Sequence, residues 1–561
     1  MELRTALIGA GWMGRQHAEY LSAHPEFRLS CVVDPYNAAV AADYGVPNYA
    51  TVGDMLGAVT DIDAAIVANA VLGVVEPMSC GLGGDLFAIV WDAKSKSLYG
   101  LNASGRAPYA ATLELFREKG LSEIPTRGPL SWSVPGCVDG WDQLRRRFGS
   151  KSWPELLAPA IHYADQGFPV TEIIAHDWQS SAPTLAAVPT SAACFLPNGR
   201  APRVGEIFRN RDLAATLRTL AHGGRDAFYR GPVAAEILHY SSQVEGLFSS
   251  RDFEDHTSTW VDPVSTTYRG YEVWELPPNG QGIATLQMLN LLEPFDLKAL
   301  GPLSAESLHL MIEAKKLAYE DRAKYYTDPE FAKVPVAALI SKPYAASRGS
   351  LIRRDQANNR PIPGEPAGAD TIYLTVVDKD FNAVSLIQSN FIGFGSQHVP
   401  GHLGFPIQNR GTLFALDPQH ANKLAPHKRP FHTIIPGFVT KQGEPWLSFG
   451  LMGGDMQAQG HAQVLCNLID FEMDVQEAGD APRFRHLGSS EPTGQRTADG
   501  GAVALESQIG PEVRRVLEAK GHRLTESTGG FGGYQAIRID RQHGVLSGGS
   551  DPRKDGCALG Y

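Results

Sequence analysis

Residues 352–389, IRRDQANNRPIPGEPAGADTIYLTVVDKDFNAVSLIQS, contain the junction that decides the fold. The first half, Ile352 to Asp370, is polar and rich in proline and glycine, which is typical of an exposed, mobile segment. The second half begins at Thr371 and holds two β-branched or aromatic runs, TIYLTVV and AVSLIQS, around an Asp-Lys-Asp turn. Such runs predict paired strands. A threonine therefore stands where an exposed segment meets the first residue of a core strand.

Sequence blocks on both sides of this junction point to one family. From Ala64 onward the chain predicts an apolar helix, a glycine turn and a strand pair. The further blocks are VPGCVDGW (134–141), PPNGQGIATLQMLN (277–290), ESLHLMIEAKKLAYEDRAKYYTDP (306–329), DTIYLTVVDKDFNAV (370–384), MGGDMQAQGH (452–461), DAPRFRH (480–486) and DPRKDGCALGY (551–561). In this order they closely resemble the γ-glutamyltranspeptidase family, from Ala64 to the C-terminus.

The resemblance implies an N-terminal-nucleophile hydrolase of the α+β class, with two stacked antiparallel sheets between helical layers in a four-layer αββα sandwich. It also implies one precursor that cuts itself into a large subunit, residues 64–370, and a small subunit, residues 371–561. Whether two such heterodimers pair is left open. The family's usual opening strand and helix are missing, and a partial Rossmann-like α/β segment, residues 1–63, stands in their place.

The implied cut would give Thr371 a base of its own. A threonine hydroxyl is a poor nucleophile, but the freed α-amine of the same residue, with a pKa of roughly 7.7 to 8.0, can accept its proton at neutral pH. The bond between Asp370 and Thr371 is thus the predicted cleavage site, and Thr371 is the predicted nucleophile. Without the resemblance, the alternative is that Thr371 only starts a strand.

Three further residues complete the catalytic group that the resemblance implies. Gly453 and Gly454, in FGLMGGDMQ, match the family's oxyanion-hole glycines. Backbone N–H groups at glycines suit this task because no side chain blocks the approach. Ser389 matches the hydroxyl that contacts the nucleophile, which is usually a threonine in the family. The alternatives are an ordinary glycine turn and an exposed strand serine.

The positions that hold the substrate's α-amino group in the γ-glutamyl enzymes are changed in this chain. The family has an asparagine, a glutamine and an aspartate there, and this sequence has Phe391, Arg410 and Leu413. An ammonium left without its carboxylate partner in a closed pocket would cost on the order of 2 to 5 kcal/mol. Free γ-glutamyl compounds are therefore predicted to bind poorly.

The positions that bind the substrate's carboxylate also differ. His432 and Thr433 replace a serine pair, and Arg106 stands two residues from the family's arginine position, which Ser104 occupies. A guanidinium grips a carboxylate in a bidentate fork, so Arg410, with Arg106 nearby by hypothesis, predicts a carboxylate close to the scissile amide. Arg106, Arg410, His432 and Thr433 are thus the predicted substrate-binding residues. For Arg410 the alternative is a salt-bridged surface arginine.

The N-terminal segment has a different character. A β-prone run at Thr5–Ile8, a glycine turn and a helical stretch precede a second strand, LSCVVDP. This start resembles the glucose-fructose oxidoreductase type of NAD(P)-dependent dehydrogenase. The dinucleotide contacts that it predicts are Gly9, Gly11, Gly14 and Asp34. The second half of such a site and the Glu-Lys-Pro segment of those enzymes are not visible, so a vestigial Rossmann half without hydride chemistry is the alternative.

Composition narrows the partners and the location. The chain of 561 residues has 61 acidic and 50 basic side chains and a formal charge of −11, which argues against a nucleic-acid partner. No uninterrupted apolar run is long enough to cross a membrane. The six cysteines are scattered without zinc-like spacing, and the N-terminus lacks the pattern of a signal peptide, so we predict a cytoplasmic protein.

Two remaining patterns predict no reactive or metal-binding site. His398 and His402 are four residues apart, but the Val-Pro-Gly between them excludes a helix, so no metal site is predicted. The helix from Leu308 to Tyr326 carries EAKK and EDRAK charge spacing, which predicts a solvated face on a packed helix.

These observations favour a self-processing amidohydrolase for a small anionic amide, with no required cofactor. NAD(P) enters only if the N-terminal segment is functional. The branch with the signature Asn409-Arg410-Gly411 resembles oxamate amidohydrolase, so oxamate, converted to oxalate and ammonia, is the first candidate substrate. Three alternatives stay open: a γ-glutamyltransferase or glutathione hydrolase, an NAD-dependent oxidoreductase, and an inactive scaffold whose altered N-terminus blocks maturation.

Overall fold

The computed structural model describes residues 61–364 and 374–560 and, in the preceding chain, three strands. These strands are β1 (Leu3–Ile8), β2 (Phe27–Val33) and β3 (Asn48–Tyr49). They form a parallel sheet with β2 in the middle, as expected for a Rossmann-like start. The predicted dinucleotide contacts Gly9, Gly11, Gly14 and Asp34 lie outside the described residues.

The chain divides into two compact units, Met1–Thr60 with Leu559–Tyr561 and Asp61–Ala558. The predicted boundary after residue 63 lies three residues from this division. The predicted boundary between residues 370 and 371 lies outside the described residues. Both boundaries stay predictions.

The second unit contains an antiparallel sheet of five strands in the order β11-β12-β4-β5-β8. Its strands are β4 (Asp85–Asp92), β5 (Ser97–Ala103), β8 (Thr259–Val261), β11 (Leu374–Val377) and β12 (Ala383–Ser389). The hairpin of β11 and β12 is the strand pair predicted from TIYLTVV and AVSLIQS. The pair β4 and β5 is the one predicted after Ala64.

A second antiparallel sheet has six strands in the order β19-β18-β14-β13-β10-β9. Its strands are β9 (Val264–Tyr268), β10 (Tyr271–Glu275), β13 (Gly437–Lys441), β14 (Glu444–Met452), β18 (Gly533–Asp540) and β19 (Val545–Ser550). Short strands form two smaller sheets. They are β6 (Phe168–Pro169) with β7 (Ile207–Phe208), and β15 (Phe484–Leu487) with β16 (Ala502–Leu505) and β17 (Leu524–Thr525).

Strand β4 shows how the two large sheets stack. Because side chains alternate along a strand, Phe87, Ile89 and Trp91 point to one face and Leu86 and its alternate neighbours to the other. The first set packs against side chains of β13 and β18, which places it between the sheets. The second set packs against helices. Both faces of this sheet are therefore covered, which explains why the strand reads as an almost continuous apolar run.

A helical layer covers the outer face of each sheet. Between residues 61 and 254 the α-helices are α1 (Asp61–Val75), α2 (Leu113–Glu118), α3 (Cys137–Phe148), α4 (Trp153–Gln166), α5 (Glu172–Ala186), α6 (Pro189–Phe195), α7 (Arg211–Tyr229), α8 (Pro232–Gln243) and α9 (Ser250–Glu254). The later helices are α10 (Gly282–Leu292), α11 (Leu297–Leu300), α12 (Ala305–Tyr325), α13 (Val336–Leu339), α14 (Lys342–Gly349), α15 (Met456–Ile469), α16 (Glu477–Asp480) and α17 (Pro511–Ala519). All of the first group but α2 contribute to the core on the five-stranded sheet, and the later helices pack on the six-stranded sheet. The predicted four-layer αββα sandwich is confirmed.

Helix α12 corrects one prediction. Its charged residues do not form a solvated face, because the helix is buried from Ser307 to Ala323. Lys316 bonds Glu313 at 2.8 Å, and both side chains are at most 2% exposed. The charges are instead neutralised inside the protein, partly within the helix and partly by other segments.

The described part of the proline- and glycine-rich segment, residues 352–364, contains no helix or strand but is tied to α12. The Asn358 N–H donates to Glu313 at 3.0 Å, and the Gly364 N–H donates to Asp321. Among the described residues, no helix combines the length and the apolar character needed to cross a membrane.

Candidate active site

The ends of three neighbouring strands define the candidate site. β11 pairs with β12 with Leu374 opposite Leu386, and β12 pairs with β4 with Ser389 opposite Asp85. β11 therefore begins at the end of the sheet where β12 finishes and β4 starts. The predicted cleavage site and nucleophile, Asp370 and Thr371, lie outside the described residues.

Ser389 supports an unusual turn directly after β12. Its buried hydroxyl accepts a hydrogen bond from the Phe391 N–H at 2.8 Å. Phe391 has a φ of 79°, a conformation that is uncommon and costs energy in residues other than glycine. The turn places the Phe391 ring beneath the guanidinium of Arg410, whose central carbon lies 4.5 Å from the ring centroid.

Arg410 is buried, so the alternative of a salt-bridged surface arginine is wrong. It begins a short 3₁₀ helix, Arg410–Leu413, and donates from Nη1 to the hydroxyl of Thr433. The structure thus brings together two of the predicted substrate-binding residues. A buried guanidinium stacked on an aromatic ring and flanked by a hydroxyl is well suited to a carboxylate.

His432, the residue before Thr433, is fully buried and has both ring nitrogens in use. Its Nδ1 accepts from the Ile434 N–H at 3.2 Å, so the proton must sit on Nε2, which donates to Asp85 at 2.9 Å. Burial, with the charge of Arg410 nearby, lowers the pKa of His432 to about 3. The imidazole is therefore neutral at physiological pH.

Asp85 is a fully buried carboxylate where strand β4 begins. Its Oδ1 accepts from the N–H groups of Gly105 and Gly136 at 2.9 and 3.1 Å and from the side chain of Gln408 at 2.7 Å. Its Oδ2 accepts from His432. One side chain thus joins four segments that surround the candidate site.

Gly453 and Gly454 follow the end of β14 and precede helix α15. They have φ values of 136° and 59°, a region that favours glycine. Neither backbone N–H donates a hydrogen bond to any described residue. Two adjacent N–H groups in front of a 14-residue helix are an arrangement that can stabilise an oxyanion.

Asp455, the next residue, is held from several sides. Arg322 of α12 donates to its carboxylate at 2.6 Å and to Glu491 at 2.6 Å. The Tyr319 hydroxyl and the Gln459 side chain donate to the Asp455 carbonyl at 2.5 and 3.0 Å. These bonds fix the end of the glycine turn.

Arg106 has a resident partner. Its Nη2 donates to both carboxylate oxygens of Glu330 at 2.8 and 3.0 Å, and its Nη1 lies 3.5 Å from Asp328. Arg429 donates to the same Glu330 at 2.7 Å. The structure therefore places this guanidinium in an ion-pair network, and a role in substrate binding stays a prediction.

One group in the described part of the chain has metal-ligand geometry, His309, Glu313 and His522. Protein groups already use its facing atoms. The two imidazoles bond each other at 2.7 Å, and Glu313 bonds Lys316. His402 bonds Asp212 on the surface. The absence of a metal remains a prediction.

Sequence reasoning missed Asp85, Asp455 and Arg322. A signal existed for the two acids, because each directly follows a glycine pair, in GLGGD and in MGGD. Asp85 also opens an otherwise apolar strand. No comparable signal marks Arg322, whose two acidic partners, Asp455 and Glu491, lie more than a hundred residues further along the chain.

Two family profiles match parts of the chain. Residues 59–561 match the family profile described as gamma-glutamyltranspeptidase. Residues 3–71 match the profile described as oxidoreductase family, NAD-binding Rossmann fold.

Similar curated proteins extend over most of the chain. It is 37% identical to the glutathione hydrolase-like YwrD proenzyme of Bacillus subtilis (strain 168), over 89% of this chain and 93% of that protein. It is 34% identical to the oxamate amidohydrolase proenzyme of Klebsiella pneumoniae subsp. pneumoniae, over 89% and 94%. Among solved structures, a cephalosporin acylase from Bacillus halodurans has a TM-score of 0.83 and 40% identity, covering 90% of this chain and 92% of that one.

Proposed function

The chain belongs to the γ-glutamyltranspeptidase family, and from that premise we propose that it is a self-processing amidohydrolase for a small anionic amide, with oxamate as the first candidate. Membership makes it an N-terminal-nucleophile hydrolase that acts on amide C–N bonds, a reaction that needs no cofactor. The nucleophile, the cut and the substrate are the proposed parts.

The burial of Arg410 is the observation that carries the substrate class. The position that holds an acid in the γ-glutamyl enzymes is the buried Leu413, so this pocket has no carboxylate there for an ammonium. Arg410 supplies a positive charge in its place, with the Thr433 hydroxyl beside it. Such a pocket favours an acyl group whose carboxylate lies next to the scissile carbonyl, as in oxamate.

The register of the hairpin supports Thr371 as nucleophile. Counting three residues back from Leu374 and three forward from its partner Leu386 leads to position 371 on one strand and to Ser389 on the other. Ser389 is also the residue that the family resemblance assigned to contact with the nucleophile.

The proposed reaction has two steps. The Thr371 hydroxyl attacks the amide carbonyl while its α-amine takes the proton, and the N–H groups of Gly453 and Gly454 stabilise the oxyanion. The amine returns the proton to the leaving nitrogen. The C–N bond then breaks, ammonia departs, and the acyl group remains as an ester on the Thr371 oxygen. Water then hydrolyses the ester, which releases oxalate and restores the hydroxyl.

The test compares the wild-type chain with Thr371→Ala and Thr371→Ser. We expect the wild type to yield a C-terminal fragment whose first residue is Thr371 and to release ammonia from oxamate. Thr371→Ala should stay uncut and inactive, and Thr371→Ser should retain part of both activities because it keeps a hydroxyl beside the amine. An uncut wild-type chain that still turns over oxamate would sink the mechanism.

A second candidate is a glutathione hydrolase or γ-glutamyltransferase. It is favoured by the 37% identity to a protein named glutathione hydrolase-like. Release of a chromogenic amine from a γ-glutamyl anilide, measured beside ammonia release from oxamate, separates the two.

The relatives named proenzymes favour two subunits from one precursor, and the cytoplasmic location stays a prediction.

A further inference from the structure

We propose that Asp85 is a positioning residue that acts through His432 to hold Arg410 and Thr433 in place for the carboxylate of the substrate. This inference rests on the proposed function, since it concerns the same pocket. It gives His432 an indirect role in place of the direct contact that its position in the sequence predicted.

The first step of the argument is that Asp85 acts only as an acceptor. All four of its neighbours, the N–H groups of Gly105 and Gly136, the Gln408 amide and His432 Nε2, are donors. A carboxylate fits this surrounding, and an amide does not, because one of its two atoms would present hydrogens to another donor.

The second step is that His432 offers the substrate no nitrogen. Nε2–H is bound to Asp85, and the Nδ1 lone pair is bound to the Ile434 N–H. The ring also packs against Phe87, with 4.7 Å between the ring centroids. Its polar atoms thus serve the protein, and its orientation is set from both sides.

The third step is that both halves of the anion-binding pair are tied to this one carboxylate. Gln408, which Asp85 binds, lies two residues before Arg410. His432, which Asp85 also binds, is the residue before Thr433. Arg410 and Thr433 then bond each other. Asp85 therefore sets the spacing of two loops that belong to the other predicted subunit.

The experiment uses the processed enzyme, three test variants and one control variant. Asp85→Asn places a donor against His432 or Gln408. His432→Gln keeps a side-chain donor for Asp85, and His432→Leu removes it. Asp92→Asn is the matched control, because it makes the same change at the far end of the same strand, where Asp92 caps a turn. The readouts are KM and kcat for oxamate, and the shift in Tm caused by oxalate.

For Asp85→Asn and His432→Leu we expect KM to rise at least about tenfold with a smaller change in kcat, because a displaced pair binds the carboxylate poorly. The oxalate-induced shift in Tm should shrink in parallel. His432→Gln should recover at least part of the loss seen in His432→Leu, because it keeps a donor for Asp85, and Asp92→Asn should stay within about threefold of the wild type. If Asp85→Asn fails to fold or to process, the contrast between Gln and Leu at position 432 decides.

Wild-type KM in Asp85→Asn or in His432→Leu would overturn the proposal. A loss in His432→Gln as large as in His432→Leu would overturn it too, because the ring itself would then contact the substrate. If the wild type does not turn over oxamate, the proposed function fails. The oxalate shift still tests the positioning role, which is contradicted if the shift is the same in all variants or absent from the wild type.

Discussion

Gly453 and Gly454, the predicted oxyanion-hole glycines, are under different constraints, although they are simply adjacent glycines in the sequence. A Cβ on Gly453 would approach the Gly532 Cα to 3.0 Å, and its φ of 136° is strained for any side chain. A Cβ on Gly454 would meet nothing within 4 Å, and its φ of 59° is the left-handed region that other residues can enter. Glycine is therefore required at position 453 by space and backbone, whereas at position 454 the backbone only favours it.

This difference predicts unequal effects of the same substitution. Gly453→Ala should lower kcat by about 10²- to 10³-fold, because the backbone must shift and one oxyanion donor moves with it. Gly454→Ala should cost at most about tenfold, since a left-handed alanine costs roughly 1 kcal/mol. The measurement is kcat for oxamate, with a gel to confirm processing. Equal losses at the two positions would contradict the assignment of space as the cause.

The sequence predicted several residues for the candidate site, but not which of them bond each other. Arg410, Thr433 and the glycine pair were predicted from family positions, and the structure brings the first two into contact. Arg106 was predicted near them, yet Glu330, more than two hundred residues away, binds it. Partners that are so far apart in sequence leave no local pattern, so an arginine's resident acid cannot be read from its neighbours.

At the scale of elements, helix α12 shows where charge patterns mislead. EAKK and EDRAK spacing resembles the intrahelical ion pairs of exposed helices, but Arg322 bonds Asp455 and Glu491 from other segments. The strands were easier to predict, because β-branched runs such as those of β11 and β12 indicate a strand whichever sheet they join. The charge spacing predicted the helix correctly, but only tertiary contacts decide which of its faces is exposed to solvent.

These contacts predict a remote effect on catalysis. Arg322→Lys keeps the charge but cannot bridge two acids with one fork, and Tyr319→Phe removes the donor to the Asp455 carbonyl. Each should lower kcat by about tenfold with KM changed less than about threefold. The turn at positions 453 and 454 would loosen, while the predicted substrate pocket around Arg410 would be untouched.

The control for this helix is Glu306→Gln, an exposed change in its first turn. It should leave both constants unchanged. If KM rose in Arg322→Lys while kcat held, the buried network would act on the acyl pocket and not on the oxyanion turn.

At the scale of the whole molecule, the two compact units divide the predicted chemistry. Both stacked sheets and those predicted catalytic and binding residues that the structure describes belong to Asp61–Ala558, and the predicted dinucleotide contacts belong to Met1–Thr60. The match to the gamma-glutamyltranspeptidase profile begins at residue 59, two residues before helix α1. The hydrolase unit thus contains its own two cores, one on each large sheet.

Deleting residues 1–60 should therefore leave processing intact and change kcat/KM for oxamate by less than about threefold, as expected when a separate unit is removed from an intact core. Titration of the full chain with NADH provides the complementary measurement. Quenching of tryptophan fluorescence that disappears in the deleted chain would assign dinucleotide binding to the first unit and revive the oxidoreductase alternative. Flat titration curves with unchanged hydrolysis would support a vestigial half. Loss of processing in the deleted chain would contradict the independence of the units, because the replaced opening segment would then be needed to complete the hydrolase fold.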